Sequence, residues 1–419
     1  MADAAAAPNR CGIDTVAIAR IERLLRETSP SDLLEFFTAQ ELTDAGEGPG
    51  RAASLAARFA AKEACVKLFP REAALRKISP ADFAVARDNY GAPQIVPSAA
   101  AETLLGLFRI DRVALSLTHD RVSASAVALA EPASIDVPRA GRLLARFLPI
   151  RRNVILANLR RVYGATVPET EIERLAQAHY AHLWRLCGEF VKFRWLSRER
   201  KLALVRLENA EAFVAAREQG KGVLLLTGHF GNWEVATVAG IGKFPEARGK
   251  FHFVRRPIKP RWLDALVNRR FAAAGFGVIG KRGSLATILD RLAEGDAIVF
   301  PFDQHANPPD GIEVDFFGHR AWTFKSLAIM ALATGAPVVP AWSYRQADGT
   351  HVLRFETPLQ VIEHDDTNEA IRRNTRAYNA ELERLILRRP EQWYWVHRRW
   401  KSVTRKTKPT PSEKTTVSR

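Results

Sequence analysis

The sequence predicts two domains, a mixed α+β domain followed by a larger α/β layered domain. At 419 residues the chain is too long for one ordinary domain. Its first 130 residues end with two strand-like runs in which apolar and polar residues alternate. From about residue 141, short apolar runs alternate with helical patterns. The stretch between them, "AEPASIDVPRAG", is rich in proline and small residues, which is typical of a linker.

These boundaries divide the chain into four parts. We expect the first domain at 1–130, a linker at 131–141, the second domain at 142–401 and a basic tail at 402–419. The tail is predicted to be disordered because it has almost no apolar residues with which to form a core.

The charge of the chain is unusual, although its hydrophobic content of 47% is ample for packed cores. A net charge of +16 predicts attraction to an anionic partner, such as nucleic acid, a membrane surface, a phosphorylated cofactor or an acidic protein. No nucleic-acid module or basic-aromatic strip is recognisable, so nucleic acid is not an expected partner. A non-enzymatic membrane or nucleic-acid binder is accordingly disfavoured.

The cysteines and the apolar runs indicate a compartment. Cys11, Cys65 and Cys187 form no CxxC pair, which favours a reducing environment. The N-terminus lacks the pattern of a secretory signal, and no apolar run is long enough to span a membrane. The segment 139–161 interleaves arginines with large apolar residues, which suits either an amphipathic helix in a membrane interface or an ordinary surface helix. Pro149 is expected to break it.

The elements of the first domain follow in order. "CGIDTVAIARI" predicts a short strand that ends at Asp14, and "RAASLAARFAAKEACVKLF" predicts a helix. "VALSLTHD" and "VSASAVALA" predict a hairpin with His119 in its turn. Glu63 and Lys67 lie four apart on one helix face, and by spacing alone a surface ion pair is the simpler interpretation.

Taken together, these segments resemble the holo-acyl-carrier-protein synthase family of 4′-phosphopantetheinyl transferases. The matching pieces are "GIDTVAIARI", "FF…QEL", "ARFAAKEACVKLF", "RDNYGAP" and "LSLTHDRVSASAVALA", in family order. The resemblance implies that a carrier-protein serine hydroxyl attacks the β-phosphate of coenzyme A and releases adenosine 3′,5′-bisphosphate. The "GAP" at 91–93 departs from the family, in which a lysine is commoner between the glycine and the proline.

The resemblance also implies roles for individual residues. Asp14 and Glu63 would hold a Mg²⁺ that bridges the pyrophosphate, because Mg²⁺ prefers carboxylate and phosphate oxygens. Lys67 would neutralise charge on the leaving group. The remaining matches are Ser116 and His119 near the coenzyme's phosphates, Lys62 either on a phosphate or in solvent, and Arg20 in docking of the carrier protein.

In the second domain, four runs predict short buried strands: "GVLLLTGHF", "FHFVRR", "AIVFPFD" and "APVVPAWSYR". Between them, "WLDALVNRRFAAAG", "SLATILDRLAEG" and "FKSLAIMALATG" predict helices, each ending in a glycine that suits a helix C-terminus. This alternation predicts an α/β layered domain.

His229 directly follows the first of these strands, at a position where α/β folds often place chemistry. Glu234 would lie one helical turn further on and could hydrogen-bond the imidazole, which would leave the other nitrogen as a general base. Gly228 and Gly231 would let a substrate approach the backbone. On spacing alone, however, a structural histidine in a loop is the simpler interpretation.

The segment "TGHFGNWE" resembles the His-x4-acid signature of the lipid A lauroyl/myristoyl branch of the lysophospholipid acyltransferase superfamily. Further matching pieces follow in order: "LAEGDAIVFPFDQHA", "VDFFGHRAWTFKSLAIMALATGAPVVPAWSYR" and "RRPEQWYWVHRRWK". The resemblance covers about residues 140–401. It implies direct acyl transfer from a thioester to an acceptor hydroxyl, with no covalent acyl-enzyme.

In that chemistry His229, oriented by Glu234, would remove the hydroxyl proton. Arg256 and either Arg269 or Arg270 match the family's arginines, which would stabilise the oxyanion, with Arg270 preferred. Asp303 matches a family aspartate that could orient an arginine or the acceptor.

The two resemblances together imply a bifunctional transferase that primes acyl carrier protein and then consumes its acylated form. The expected partners are acyl carrier protein, a lipid acceptor similar to a lipid A precursor, and further copies of the chain in a trimer. Members of the second family usually begin with a membrane-anchoring helix, and here the first domain occupies that place.

We therefore expect a cytoplasmic protein held peripherally on the inner membrane by the segment 139–152, the end "VHRRWK" and the basic tail. Alternatives are a first domain that only docks the carrier, and a lysophospholipid or glycolipid acceptor.

Overall fold

The computed structural model describes residues 10–244, 248–255, 259–280 and 284–401, apart from the side chains at positions 194, 241, 263, 266 and 270. The predicted fold class is confirmed, because an α+β region is followed by a region built on a mixed α/β sheet. The first region ends with a strand at Pro132, and the next helix begins at Arg139. The predicted tail at 402–419 lies outside the described residues.

The first region is organised around one alanine-rich helix. Its elements are β1 (Cys11–Ala17), α1 (Ile18–Glu27), α2 (Ala39–Asp44), α3 (Arg51–Val66), α4 (Arg71–Ala74), β2 (Phe83–Arg87), β3 (Pro93–Pro97), α5 (Ala99–Leu107), β4 (Ile110–His119) and β5 (Ser123–Pro132). The antiparallel sheet β1-β5-β4 packs on α3, while β2 and β3 form a separate hairpin. Small side chains allow this close approach: a Cβ on Gly12 would lie 1.9 Å from the Ala64 carbonyl oxygen.

The predicted strand, helix and hairpin of this region are therefore present. Two details differ from the prediction. His119 is the last residue of β4, where it pairs with Ala124, and does not lie in the turn. Asp14 lies in the middle of β1 and not at its end, because β1 stays paired with β5 as far as Ala17.

The second region is a seven-stranded sheet covered by helices. Its elements are α6 (Arg139–Phe147), α7 (Arg152–Tyr163), α8 (Glu169–Trp195), α9 (Arg198–Ala203), β6 (Val205–Glu208), α10 (Ala210–Glu218), β7 (Val223–Thr227), α11 (Trp233–Ile241), β8 (Phe251–Arg255), α12 (Arg261–Ala274), β9 (Phe276–Gly280), α13 (Leu285–Ala293), β10 (Ala297–Pro301), β11 (Gly311–Phe316), β12 (His319–Phe324), α14 (Ser326–Thr334), β13 (Val338–Arg345), β14 (His351–Phe355) and α15 (Thr367–Arg388). The strand order is β6-β14-β13-β7-β10-β8-β9, and β11 and β12 form a hairpin.

The four predicted strands, β7, β8, β10 and β13, form the parallel centre of this sheet. Their apolar residues face cores on both sides, as is usual for parallel strands covered by helices. Leu224 and Leu226 join the core under α14 and α15, whereas Leu225 faces a phenylalanine-rich core on the other side. The predicted glycine ends of all three helices are also present, with Gly275, Gly295 and Gly335 in left-handed conformation.

The two regions pack directly against each other through α5 and α15. Glu102 on α5 accepts hydrogen bonds from Arg384 at 2.9 Å and from Arg388 at 3.1 Å. A Cβ on Gly106 would lie only 2.6 Å from Cβ of Leu387, so the helices are in close contact there.

The basic segment 139–161 is broken near Pro149, as predicted, into α6 and α7. Among the helices of the described residues, none combines the length and the apolar content needed to cross a bilayer.

Candidate active sites

His229 lies in the turn between β7 and α11, the strand-to-helix position that the sequence predicts. The turn is held by local contacts: the Asn232 side chain caps α11 by accepting from the Val235 N–H at 3.2 Å. Gly231 has φ +52°, and a Cβ there would lie 2.7 Å from the Ser343 carbonyl oxygen. A Cβ on Gly228 would lie 3.0 Å from Oδ2 of Asp303. Both glycines therefore allow close packing of other parts of the protein, and Gly228 also lines the pocket at His229.

The partner of the imidazole is Asp303. The His229 Nδ1 lies 2.9 Å from Asp303 Oδ1, and the His229 backbone N–H donates to Asp303 Oδ2 at 2.7 Å. Register explains the pairing: Thr227 on β7 pairs with Pro301 on the parallel neighbour β10, and each partner lies two residues beyond its strand. The prediction that Glu234 orients the imidazole is therefore wrong. Glu234 lines the same pocket from the first turn of α11.

Asp303 is fully buried and carries a third bond, because Trp393 Nε1–H donates to its Oδ2 at 2.9 Å. Burial opposes ionisation of this carboxyl, but the charge of His229 and the bonds it donates hold the pKa of Asp303 well below its usual range. Burial conversely lowers the pKa of His229, while the charge and hydrogen bond of Asp303 outweigh it and raise the pKa above the usual value. The carboxylate thus fixes the Nδ1–H tautomer.

The other imidazole nitrogen faces Gln304. The amide Nε2 of Gln304 lies 3.4 Å from Nε2 of His229 and 3.4 Å from Nε2 of His397. Burial lowers the pKa of His397 to about 4, so this second ring is neutral at pH 7. When both rings are neutral, each can accept a hydrogen bond from the Gln304 amide. The lone pair on His229 Nε2 therefore points toward the space occupied by this polar side chain.

An apolar pocket of about 270 Å³ begins at His229 and extends into the phenylalanine-rich core. Near the imidazole it is lined by Thr227, Trp233 and Thr237. Its remaining walls are almost entirely apolar, and most of them belong to the phenylalanine-rich core: Leu225, Phe244, Phe251, Phe253, Val254, Val267, Phe271, Phe276, Val299, Pro301, Ala341, Trp342, Leu353 and Phe355. A hydrocarbon chain fits such walls, with its polar end at the imidazole.

Residues near the C-terminus complete the site. Tyr394 donates its backbone N–H to the His229 carbonyl oxygen at 3.1 Å, and Trp393 reaches Asp303. The predicted membrane attachment through "VHRRWK" is wrong for Val396 and Arg399, because both side chains are buried. The roles of Trp393, Gln304 and His397 were missed. For Trp393 and His397 the signal available was the dense aromatic run "QWYWVH", which is unusual for a surface segment.

The predicted arginines lie mostly outside the described residues. Arg256 is not described, and neither is the side chain of Arg270. The neighbouring Arg255 lines the pocket and forms an ion pair with Asp264 at 2.5 Å, besides a hydrogen bond to Asn268.

In the first region, the structure brings together part of the predicted site. Lys67 Nζ lies 2.7 Å from Asp14 Oδ1 and donates to the Ile13 carbonyl oxygen at 2.9 Å. Glu63 lies one turn before Lys67 on α3, beside the point where Gly12 contacts Ala64. These carboxylates are the hard oxygen donors that Mg²⁺ prefers, so the donor chemistry fits the ion.

Ser116 and His119 lie elsewhere in the same domain. They line a cleft of about 450 Å³ together with Arg58 and Arg87, and within the described part of the chain Asp14 is not among its lining residues. Register gives the reason for Ser116: it shares a sheet face with Ile13, whereas Asp14 lies on the opposite face toward α3.

Lys62 contradicts both alternatives that the sequence left open. Its side chain is fully buried and forms a 2.7 Å ion pair with Glu41, besides a 2.9 Å bond to the Phe36 carbonyl oxygen. It therefore does not reach solvent, and its ammonium group is already bonded to Glu41 and to the Phe36 carbonyl oxygen. Glu41 is itself saturated by Thr38 and by the Val85 N–H, so the pair is structural.

The folds and these two groups of side chains define a transferase with a phosphopantetheinyl transferase-like region and an acyltransferase-like region. The chain belongs to the bacterial lipid A biosynthesis acyltransferase family, whose model matches residues 131–402. Residues 10–118 match the 4′-phosphopantetheinyl transferase superfamily. The chain is thus a fusion of the two, as the sequence motifs predict.

Similarity to curated proteins divides in the same way. A phosphatidylinositol mannoside acyltransferase of Mycolicibacterium smegmatis is 26% identical over 58% of this chain and 77% of its own length. A lipid A biosynthesis palmitoleoyltransferase of Escherichia coli is 25% identical over 63% of this chain and 83% of its own. A holo-[acyl-carrier-protein] synthase of Moorella thermoacetica is 37% identical over 29% of this chain and 91% of its own.

Proposed function

We propose that the chain is a bifunctional transferase that primes acyl carrier protein and uses its acylated form to acylate a lipid hydroxyl. The observation that carries the second activity is the His229–Asp303 pair at the mouth of an apolar pocket. The pair supplies a general base, and the pocket supplies a site for the acyl chain.

The acyl transfer follows from this geometry. His229 Nε2 takes the proton of the acceptor hydroxyl as its oxygen attacks the thioester carbonyl, and Asp303 stabilises the imidazolium that forms. When the C–S bond breaks, the imidazolium returns the proton to the departing thiolate. Arg256 and Arg270 are proposed to stabilise the oxyanion.

Direct transfer is supported by the hydroxyls near the base. Ser343 Oγ–H donates to the Phe230 carbonyl oxygen at 2.8 Å, and Thr237 donates to the Trp233 carbonyl oxygen. Neither is paired with His229, which a covalent nucleophile would require. Cys187 lies on the exposed face of α8.

For the first region we propose phosphopantetheine transfer from coenzyme A to a carrier-protein serine. Asp14 and Glu63 would hold a Mg²⁺, which supplies charge neutralisation at the pyrophosphate. Lys67 would bind the same phosphates from its position beside Asp14. Arg20, which is exposed on α1, would contact the acidic carrier.

This half of the proposal includes a trimer, because one chain does not bring the two groups of predicted residues into one cleft. The sheet face that carries Ser116 also exposes Ile13 at 61% and Leu129 at 49%. Apolar side chains of that size on a strand face favour burial against another copy. A cleft completed between copies would unite Asp14 of one chain with Ser116 of another.

Two experiments test the proposal with the full chain. The first follows conversion of apo- to holo-carrier protein by mass spectrometry, with coenzyme A and Mg²⁺; loss on substitution of Lys67→Ala supports the activity. No conversion by the unaltered chain favours a first region that only docks the carrier.

The second experiment compares the lipids of cells that contain the unaltered chain with those of cells that contain His229→Ala. The acylated product that disappears identifies the acceptor, and an unchanged lipid profile contradicts the proposal.

The acceptor has two candidate classes. The family model supports a lipid A precursor, whereas similarity to a phosphatidylinositol mannoside acyltransferase supports a glycolipid. Either would be reached from the cytoplasmic face of the inner membrane, where we propose that the protein is peripherally bound.

A further inference from the structure

The helix α8 presents one face differently along its length. In its first half this face is covered by α6: a Cβ on Gly141 would lie 2.5 Å from the Gln177 carbonyl oxygen and 2.8 Å from Cβ of Ala181. In its second half the same face is exposed, and a Cβ on Gly188 would meet no atom of the described residues within 4 Å.

Large apolar residues occupy the exposed part. Trp184 is 61% exposed, Val191 62% and Trp195 78%, and Cys187 is exposed between them. Spacings of three, four and seven residues place all of them on one side of the helix. We call this set, Trp184, Cys187, Gly188, Val191 and Trp195, the α8 stripe.

The end of α6 continues the stripe. Phe147 is 71% exposed, Leu148 53% and Ile150 58%. Tyr180, one turn before Trp184, donates its hydroxyl to the Ile150 carbonyl oxygen at 2.9 Å, which fixes this loop beside α8. The apolar surface therefore runs from the α6–α7 loop along the second half of α8.

Cationic side chains border this surface. Arg185 and Lys192 flank the α8 stripe along the same helix, and Arg142 and Arg146 lie exposed on α6. Indole rings between cations are typical of surfaces that rest in the headgroup layer of an anionic bilayer. An anionic lipid layer supplies counter-charges to all four cations at once, whatever their exact positions.

The opposite face of α8 adjoins the acyl pocket. Phe190 and Phe193 pack near Glu234, Val267 and Phe271, and the last three also line the pocket that begins at His229. The stripe is thus one helix thickness from that pocket.

We propose that the α8 stripe and the α6–α7 loop insert into an anionic bilayer and hold the acyl pocket against the membrane surface. This inference rests on the proposed function, since a bilayer would be the source of a lipid acceptor, and it deepens that function by naming the surface. Insertion buries the indoles and Val191 in the acyl boundary while the arginines contact phosphates.

The test measures binding of the full chain to vesicles of equal parts phosphatidylglycerol and phosphatidylethanolamine. The variant Trp184→Ser/Val191→Ser/Trp195→Ser should bind roughly tenfold or more weakly, because it removes the inserted apolar area. The matched control Leu34→Ser/Leu75→Ser/Tyr90→Ser removes exposed apolar groups of the first region and should bind like the unaltered chain. Circular dichroism checks that both remain folded.

A second readout uses the exposed thiol. With Cys11→Ser and buried Cys65 inaccessible, an environment-sensitive dye on Cys187 should shift to the blue with these vesicles and not with phosphatidylcholine alone. Equal binding of both triple variants, or no dye shift during binding, overturns the inference. So does a loss of self-association in the stripe variant without lipid, which would assign the stripe to contacts between copies.

A third variant separates failure of the membrane inference from failure of the acyltransferase proposal. His229→Ala should bind vesicles like the unaltered chain, so lost catalysis and lost membrane binding are separated.

Discussion

At the scale of single residues, the main result is that the imidazole of His229 is bonded to Asp303. We expect Asp303→Asn to abolish acyl transfer while leaving the fold intact. The amide oxygen of the introduced asparagine would accept from the His229 backbone N–H and from Trp393 Nε1–H. Its NH₂ group would then face Nδ1 of the His229 ring. The ring proton then moves to Nε2, which no longer acts as a base, so turnover should fall roughly 10³- to 10⁴-fold.

Glu234→Gln is the matched control for this substitution, measured as kcat against pH. In the proposed mechanism neutral His229 is the base, so the unaltered chain should gain activity as pH rises through the raised pKa of His229 and then reach a plateau. Glu234→Gln should keep that midpoint. A pH midpoint that moves in Glu234→Gln, or activity that is retained in Asp303→Asn, would contradict the assignment of Asp303 as the functional partner of His229.

The buried Lys62–Glu41 pair makes a second prediction at this scale. Lys62→Met leaves the Glu41 carboxylate buried and uncompensated, which should cost about 3–5 kcal/mol of unfolding free energy. Denaturant unfolding measures this loss. The KM for coenzyme A should stay unchanged in the folded variant; a raised KM with unaltered stability would instead return Lys62 to the phosphate site.

At the scale of elements, the strands under His229 line the pocket proposed to hold the acyl chain. Ala341 on β13 and Val299 on β10 both line the pocket. Ala341→Leu should shift acyl-chain preference to shorter chains, and Val299→Ala to longer ones, because they remove and add pocket volume. Competition between acyl carrier proteins of different chain length measures the preference. The same preference in both variants would mean that the acyl chain lies outside this pocket.

The contact of α5 with α15 makes a prediction about how the two regions unfold. Gly106→Val places a side chain against Leu387, so α5 and α15 must move apart to make room for it. We expect a single thermal transition of the unaltered chain to separate into two, seen by calorimetry. Glu102→Gln, which weakens only the ion pairs with Arg384 and Arg388, should broaden the transition less. An unsplit transition in Gly106→Val would mean that the regions unfold independently of this contact.

At the scale of the whole molecule, self-association should depend on the open face of the β1-β5-β4 sheet. Ile13→Arg with Leu129→Arg places two charges on that face, so a trimer should become a monomer by light scattering and lose phosphopantetheine transfer. Acyl transfer, which uses the other region, should persist. A monomeric unaltered chain with full phosphopantetheine transfer would contradict the trimer.

Several features of the molecule could be predicted from local sequence. The strands β7, β8, β10 and β13 were recognisable because each is a short apolar run between helical patterns. The position of His229 followed from the end of β7, and the two regions followed from motifs that keep a family's order.

Other features could not be predicted locally, since they depend on which elements meet. Lys62 faces a partner on another helix, and Trp393 reaches the site from beyond α15. Their roles depend on packing across the chain, which residue spacing does not encode.

The two regions, the parallel strands and the loop that carries the imidazole were predictable, because they depend on periodicity and on residues near one another in the chain. The partner of that imidazole depends instead on the packing of elements that are distant in sequence. Glu234 lies five residues away along the chain, but the parallel pairing of β7 with β10 brings Asp303 to hydrogen-bonding distance. Strand register, and not separation in sequence, therefore selected the carboxylate.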